Sequence, residues 1–193
     1  MSPVSDKQGE FWKYLSQTQK DLILEGEYLM KMFAANTEHA FKDYSFLVFP
    51  FAKTFEGFLK QLFLDVKFIS HLDYISEHYR LGKFMSPNLM NRLGDRSLYK
   101  RMVDTVGKQI AHRVWCNWKV GRNQIFHYFS HNLRAVSYKD AELLVNEMIE
   151  SMEALYGAYQ THLKQRSAEG YIRPKEKPAM ESLTACLYNT EEK

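Results

Sequence analysis

Residues 45–66 read SFLVFPFAKTFEGFLKQLFLDV, and this stretch decides the fold class. Five of its apolar residues recur at the spacing of one helix face: Phe55, Leu59, Leu62, Phe63 and Val66. Because large apolar residues also fill most of the other positions, the pattern predicts a helix that is buried on most of its circumference. Proline is tolerated early in a helix, so Pro50 allows a start either at Ser45 or near Phe49. We expect this helix to form the centre of the core.

Three further long helices are predicted around this segment, over residues 6–35, 97–118 and 137–163, from apolar residues at helical spacing. The last is the clearest, because Ser137 is a favourable N-cap and Asp140 follows three residues later, as in a capping box. No stretch alternates with a period of two for long enough to require a sheet. The sequence therefore predicts an all-α fold, a helical bundle of four to five main helices.

Residues 67–97 are less regular, because Gly82, the sequence Ser86-Pro87-Asn88 and Gly94 interrupt them. A short helix is expected over residues 71–80. We interpret the whole stretch as an irregular insertion or lid that carries four basic residues: Arg80, Lys83, Arg92 and Arg96. The predicted domain comprises residues 1–165, and residues 166–193, which are polar and contain two prolines, are expected to form a flexible tail.

Composition excludes several classes of protein. The 193-residue chain has a net charge of only +3, so overall charge does not indicate a nucleic-acid binder, and local basic clusters must carry any such claim. Residues 1–10 lack the basic and apolar segments of a signal peptide, and the most apolar run, residues 46–55, is too short to span a membrane. Cys116 and Cys186 show no metal-ligand spacing. The expectation is a cytoplasmic protein.

The segment Gly121-Arg122-Asn123-Gln124-Ile125-Phe126-His127 combines two groups suited to RNA cleavage. Arginine binds a phosphate with a permanent charge and a bidentate fork, and histidine transfers a proton near neutral pH. In an ideal α-helix, residues five apart point about 140° away from each other. Both side chains can therefore reach one phosphate only if the helix is distorted or a second chain completes the site. The alternative is a solvated Arg122 and a His127 packed among its aromatic neighbours.

Arg122, Asn123 and His127, followed by a short gap and a capped amphipathic helix, resemble the Rx4–6H signature of HEPN ribonucleases. Residues 51–60, FAKTFEGFLK, are similar to the corresponding region of RNase LS-type toxins, in which a glutamate joins the arginine and the histidine. That role falls on Glu56. The resemblance covers residues 6–165, with residues 67–97 poorly matched, and its motif is short and degenerate.

The resemblance implies a HEPN-like bundle and a nuclease that needs no metal or other cofactor and leaves a 2′,3′-cyclic phosphate. Arg122 would hold the scissile phosphate, His127 would act as general base or acid, and Asn123 would orient the histidine or the phosphate. Glu56 would orient Arg122 or His127, or share the proton transfer. An ion pair between Glu56 and Lys60, four residues later on the same helix, is the alternative. Since the chain carries one such motif, a homodimer with the site at its cleft is expected.

The candidate RNA-binding residues are Lys119, Arg113 and Tyr128, which lie near this motif in the sequence, and Lys60, which follows Glu56 on the central helix. Positive charge attracts the RNA backbone, and exposed aromatic rings stack on unpaired bases. Trp115 and Trp118 are interpreted instead as core or dimer-interface residues. His127 and His131 are four apart, but no third ligand is evident, so no metal site is expected.

The function predicted from the sequence is a HEPN endoribonuclease that acts as a toxin or an antiviral defence effector. Its partners would be RNA and an antitoxin or regulatory protein. One alternative is a catalytically inactive HEPN module that binds RNA or protein in a larger complex. A second is a plain helical interaction protein in which the motif arose by chance.

Overall fold

The computed structural model describes residues 4, 6–35, 39–128 and 130–173. Within these ranges the chain is helical and contains no strand, which confirms the prediction of an all-α fold. Residues 174–193, which form most of the predicted tail and include Cys186, lie outside the described residues.

Nine α-helices are present in the described ranges: α1 (Glu10–Tyr14), α2 (Gln17–Ala34), α3 (Ser45–Asp65), α4 (His71–Ile75), α5 (Leu81–Met85), α6 (Met90–Leu93), α7 (Leu98–Val106), α8 (Lys108–Asn117) and α9 (Tyr138–Ala168). A π-helix, Trp118–Gln124, follows α8, and short 3₁₀ turns occur at Pro87–Leu89, Gly94–Arg96 and Ser130–Asn132. Of the helices described, none combines the length and the apolar character needed to cross a lipid bilayer.

Helix α3 is the centre of the core, as its sequence predicts. It packs between α2 and α9, and 14 of its 21 residues are buried. The helix begins at Ser45, the earlier of the two predicted starts, where the Asp43 carboxylate accepts hydrogen bonds from the Ser45 N–H and hydroxyl. The same carboxylate accepts from the Val136 N–H, and Tyr44 N–H donates to the Val136 carbonyl at 2.8 Å. The start of α3 is therefore tied to the segment that leads into α9.

Two helices predicted to be continuous are each divided in the structure. Between α1 and α2, Ser16 caps the new helix, because its hydroxyl accepts from the Gln19 N–H while the Gln19 side chain accepts from the Ser16 N–H. Between α7 and α8, Gly107 has φ +89°, a conformation that residues with a Cβ rarely adopt. A capping box marks the first break, and a glycine with a positive φ marks the second. Because the spacing of apolar residues reveals neither break, the predicted number of helices was too low.

The insertion is part of the packed body. Residues 67–97 form α4–α6 and two 3₁₀ turns, with the predicted helix at 71–80 shortened to five residues. Leu81 and Met85 of α5 are fully buried in the core. Arg101 of α7 donates to the carbonyls of Lys67 and Phe68, which join the insertion to the end of α3. These contacts attach the insertion to the bundle at both ends.

The end of the described chain is also packed. Helix α9 continues to Ala168, so the boundary predicted at residue 165 falls inside this helix. Beyond it, Arg173 forms an ion pair of 2.6 Å with Asp65, whose side chain is only 4% exposed. Tyr14 and Tyr171 donate hydroxyl hydrogen bonds to the same carboxylate. Residues 166–173 therefore belong to the folded body, although the sequence analysis assigned them to the tail.

Candidate functional site

The Arg-His motif begins in a π-helix that continues directly from α8. A π-helix has wider turns than an α-helix and frequently occurs at functional sites. Two contacts hold it in place against α9. The buried Asn117 side chain donates to the Glu147 carbonyl at 2.9 Å, and Gly121 packs on Met148 so closely that a Cβ at Gly121 would lie 1.9 Å from Met148 Cε. The helix around Arg122 is therefore distorted, which is one of the two conditions considered above for Arg122 and His127 to reach one phosphate.

Arg122 is paired with the acidic residue that the resemblance associates with it. Its Nε donates to Glu56 Oε2 at 3.0 Å, with the arginine side chain 40% exposed and the glutamate 29%. The guanidinium also lies 5.8 Å from the centre of the Phe126 ring. Within the described part of the chain, the ion pair of Glu56 is with Arg122 and not with Lys60, the alternative considered above. Glu56 and Arg122 are thus neighbours, with Arg122 still accessible to a ligand.

A groove of about 500 Å³ opens beside this ion pair. Three parts of the chain line it: Glu56 from α3, residues of the insertion between 79 and 86, and residues of α8 and the π-helix. Arg122 and Asn123 both face it, and Asn123 is exposed. Tyr79 also lines the groove, and burial raises the pKa of its phenol, with a smaller contribution from Asp73. The groove offers the guanidinium groups of Arg122 and Arg80, the Lys83 ammonium and the Asn123 carboxamide to an anionic ligand.

His127 lies apart from these groups within one chain. It follows the end of the π-helix in a turn, where its N–H donates to the Gln124 carbonyl at 3.4 Å. The residue is exposed, which contradicts the alternative of a histidine packed among aromatic neighbours. It is not among the described residues that line the groove. The structure therefore brings together Arg122, Asn123 and Glu56, and leaves His127 free on the surface five residues away.

The four candidate RNA-binding residues have different surroundings. Lys119 is exposed on the π-helix, Lys60 is half-buried on α3, and Tyr128 is 81% exposed. Arg113 is already engaged, because its guanidinium pairs with Glu147 at 3.1 Å and Glu150 at 2.6 Å on α9. None of the four is among the described residues that line the groove.

The cations that do line the groove beside Arg122 are Arg80 and Lys83 of the insertion. Both are basic residues of the predicted insertion, but no pattern in the sequence indicates that they belong to the site. Trp115, interpreted as a core or interface residue, also lines the groove and is half-buried. No spacing rule connects residues 80 and 83 with residue 122, so a short motif alone could not have identified Arg80 and Lys83 as groove residues.

Among the described residues, no group of three or more His, Cys, Asp and Glu side chains has a geometry that could hold a metal ion. In comparisons with known proteins, the chain matches no family model, no curated protein and no solved structure.

Proposed function

We propose that this chain is a HEPN-class endoribonuclease with a HEPN-like bundle as its fold, and that it cleaves RNA with Arg122, Asn123, Glu56 and His127. The observation that carries the proposal is the Arg122–Glu56 pair at the groove. An arginine held by a carboxylate on one side and open to a groove on the other is oriented for an incoming phosphate. Residues 122–127 also resemble the HEPN signature, and this resemblance assigns Arg122, Asn123 and His127 to the site without use of the structure.

The proposed reaction uses the RNA 2′-hydroxyl as nucleophile. A bond forms between the 2′-oxygen and phosphorus, the bond between phosphorus and the 5′-oxygen breaks, and the products carry a 2′,3′-cyclic phosphate and a 5′-hydroxyl. His127 is either the base that removes the 2′-proton or the acid that protonates the leaving 5′-oxygen, and water carries out the other proton transfer. Arg122 stabilises the charge that develops on the phosphoryl oxygens, and Asn123 donates a further hydrogen bond. Glu56 keeps the guanidinium aimed at the groove.

A homodimer is part of the proposal, because His127 lies outside the groove of its own chain. Exposed apolar residues of α3 lie beside the motif and supply a surface for a second copy, because Phe46 and Phe49 line one pocket with Ile125 and Phe126. Phe49 and Phe126 form an edge-to-face contact of 5.5 Å there. Contiguous apolar surface of this kind marks interaction sites. In the dimer, His127 of each chain would complete the site formed by Arg122, Asn123 and Glu56 of the other chain.

The first test is cleavage of mixed cellular RNA in the presence of EDTA by the purified protein, by His127→Ala and by His162→Ala. His162 is an exposed histidine of α9 and serves as the matched control. We expect the His127 variant to lose about 100-fold or more of the activity, as for a general acid or base, and the control to keep it. Cyclic-phosphate ends on the products identify the reaction. Equal cleavage by all three proteins would reject the proposed role of His127.

A second test addresses the shared site. Arg122→Ala and His127→Ala are assayed separately and then after mixing and refolding together. If Arg122 of one chain works with His127 of the other, the mixed dimer regains one complete site and part of the activity. If both residues act within one chain, mixing restores nothing.

The second candidate function is an RNA-binding HEPN module without catalysis. The position of His127 outside the groove favours it, since binding needs only the groove and its cations. A folded dimer that binds RNA but cleaves none, with or without the His127 substitution, is the outcome expected of such a module.

A further inference from the structure

The groove extends from Arg122 into the insertion, and its charge is strongly one-sided. Arg80 and Lys83 are both exposed and line it together with Arg122. Glu56 is the acid among its described lining residues, and that carboxylate is occupied by Arg122. The cations of the insertion therefore face the groove without a carboxylate of that lining to neutralise them. This arrangement attracts a polyanion.

Arg80 and Lys83 belong to a short segment that is packed against the bundle. Leu81, which lies between them in the sequence, is 1% exposed, and Met85, the last residue of the same helix α5, is also buried in the core. Gly82 packs on the Trp118 indole so closely that a Cβ there would lie 2.5 Å from Trp118 Nε1. Since Trp118 begins the π-helix that carries Arg122, this contact sets the position of Arg80 and Lys83 relative to Arg122. The segment that carries Arg80 and Lys83 is therefore held in place beside Arg122.

An aromatic ring completes the groove. Trp115 lines it and is half-buried, so part of its indole remains open to a ligand. An indole stacks on any unpaired base, whatever the sequence. Bases in an A-form duplex are stacked and paired within the helix and are not available for this contact. Cations beside an accessible indole therefore favour a single strand.

We propose that this groove binds the single-stranded RNA that flanks the phosphate held by Arg122, with Arg80 and Lys83 on backbone phosphates and Trp115 stacked on a base. The inference rests on the proposed function for its assignment of Arg122 to the scissile phosphate. It assigns a substrate class, unpaired RNA, and adds Arg80, Lys83 and Trp115 to the RNA-binding residues predicted from the sequence.

Binding is measured separately from cleavage with a 12-nucleotide strand of randomised sequence in which fluorine replaces every 2′-hydroxyl. This strand lacks the nucleophile and stays intact, and a fluorescent label reports its binding by anisotropy. The variant Arg80→Gln/Lys83→Gln is compared with Arg92→Gln/Lys139→Gln, which removes two exposed cations outside the groove lining. The logarithm of the binding constant falls linearly with the logarithm of the salt concentration, and each single-strand phosphate contact contributes about 0.7 to the size of this salt slope. We therefore expect the salt slope of the groove variant to be smaller by about 1.4. The control should retain the wild-type slope.

Trp115 is tested with the same strand. Trp115→Leu should weaken binding about tenfold through lost stacking, whereas Trp115→Phe, which keeps an aromatic ring, should retain most of the affinity. A duplex of the same length should bind more weakly than the single strand and should not respond to the Trp115 substitutions.

The outcomes separate this inference from the proposed catalysis. In one outcome, cleavage is normal and depends on His127, but the salt slope of the Arg80→Gln/Lys83→Gln variant is unchanged. That outcome overturns the proposal that the groove binds RNA and leaves the proposed nuclease activity standing. Binding that depends on Arg80, Lys83 and Trp115 in a protein that cleaves nothing supports the groove and rejects catalysis. Failure of the wild-type protein to bind the single strand overturns the groove directly.

Discussion

Arg122 and Glu56 lie 66 positions apart in the sequence, and Arg122 Nε donates a 3.0 Å hydrogen bond to Glu56 Oε2. The π-helix packs against α3, and this contact brings the two side chains together at the groove. Both side chains remain partly exposed, so the pair stabilises the fold only weakly. Its main consequence is the orientation of the guanidinium, and substitutions of Glu56 should therefore affect activity more than stability.

For Glu56→Gln we expect RNA cleavage to fall about 10- to 100-fold, because a guanidinium without its carboxylate partner no longer keeps one orientation. The free energy of unfolding should change by less than about 1 kcal/mol, as for other exposed ion pairs. Cleavage rate and chemical denaturation are measured on the same preparation. Glu147→Gln, which breaks an exposed pair with Arg113, is the matched control and should cleave RNA normally. Similar losses of activity in both variants would contradict the positioning role.

Gly121→Ala should destabilise the protein by about 1–3 kcal/mol, because the added Cβ meets Met148 Cε at 1.9 Å in a fully buried setting. Met148 is flexible, but its side chain is fully buried in a close-packed core, so it can move only by displacing its neighbours. Since Arg122 is the next residue, cleavage should also decrease. The control is Gly157→Ala in α9, where a Cβ meets nothing within 4 Å. There we expect a gain of about 0.5–1 kcal/mol from helix propensity. Thermal and denaturant unfolding give both values.

Asp65→Asn should cost about 2–3 kcal/mol of unfolding free energy, because it leaves the partly buried Arg173 guanidinium without its counter-charge. The residues that contact Asp65 come from both ends of the described chain, Tyr14 near the start and Arg173 at the end. We therefore also expect faster proteolysis around residue 173. Asp104→Asn, which breaks an exposed i,i+4 pair with Lys100, is the control and should cost about 0.5 kcal/mol or less. Equal costs in the two variants would contradict a structural role for the Asp65 cluster.

The stability of the protein should fall in alkaline solution through Tyr159. Burial raises the pKa of this phenol from 10.0 to about 12. Below pH 10 the phenol is protonated in both states and contributes no pH dependence. Between pH 10 and 12 the unfolded chain loses a proton that the folded protein keeps, so the free energy of unfolding falls by about 1.4 kcal/mol per pH unit. Tyr159→Phe should remove this component of the slope. Parallel curves for the two proteins from pH 9 to 12 would show that Tyr159 does not contribute.

Local patterns predicted the main helices well. Residues 45–66 were assigned to one helix, and α3 comprises Ser45–Asp65. Ser137 was predicted as an N-cap, and its hydroxyl accepts from the Asp140 N–H at 3.1 Å. The breaks at Ser16 and Gly107 were missed, since the apolar stripe continues across both and only the capping chemistry and the positive φ mark them. Helical spacing reports which face is apolar, but a change in helix direction leaves that spacing intact.

The candidate site also divides into features that the sequence determined and features that only the tertiary structure decided. The sequence by itself determined which residue types are available: an arginine, an asparagine and a histidine within six positions, and a glutamate on the most apolar helix. Tertiary packing alone decided that Glu56 meets Arg122 and that His127 stays on the surface. It also decided that Arg80 and Lys83 share a groove with Glu56 and Arg122. The physical reason is that these relationships depend on how helices far apart in the sequence stack around α3. Periodicity describes one helix at a time and contains no information about which neighbour that helix will meet.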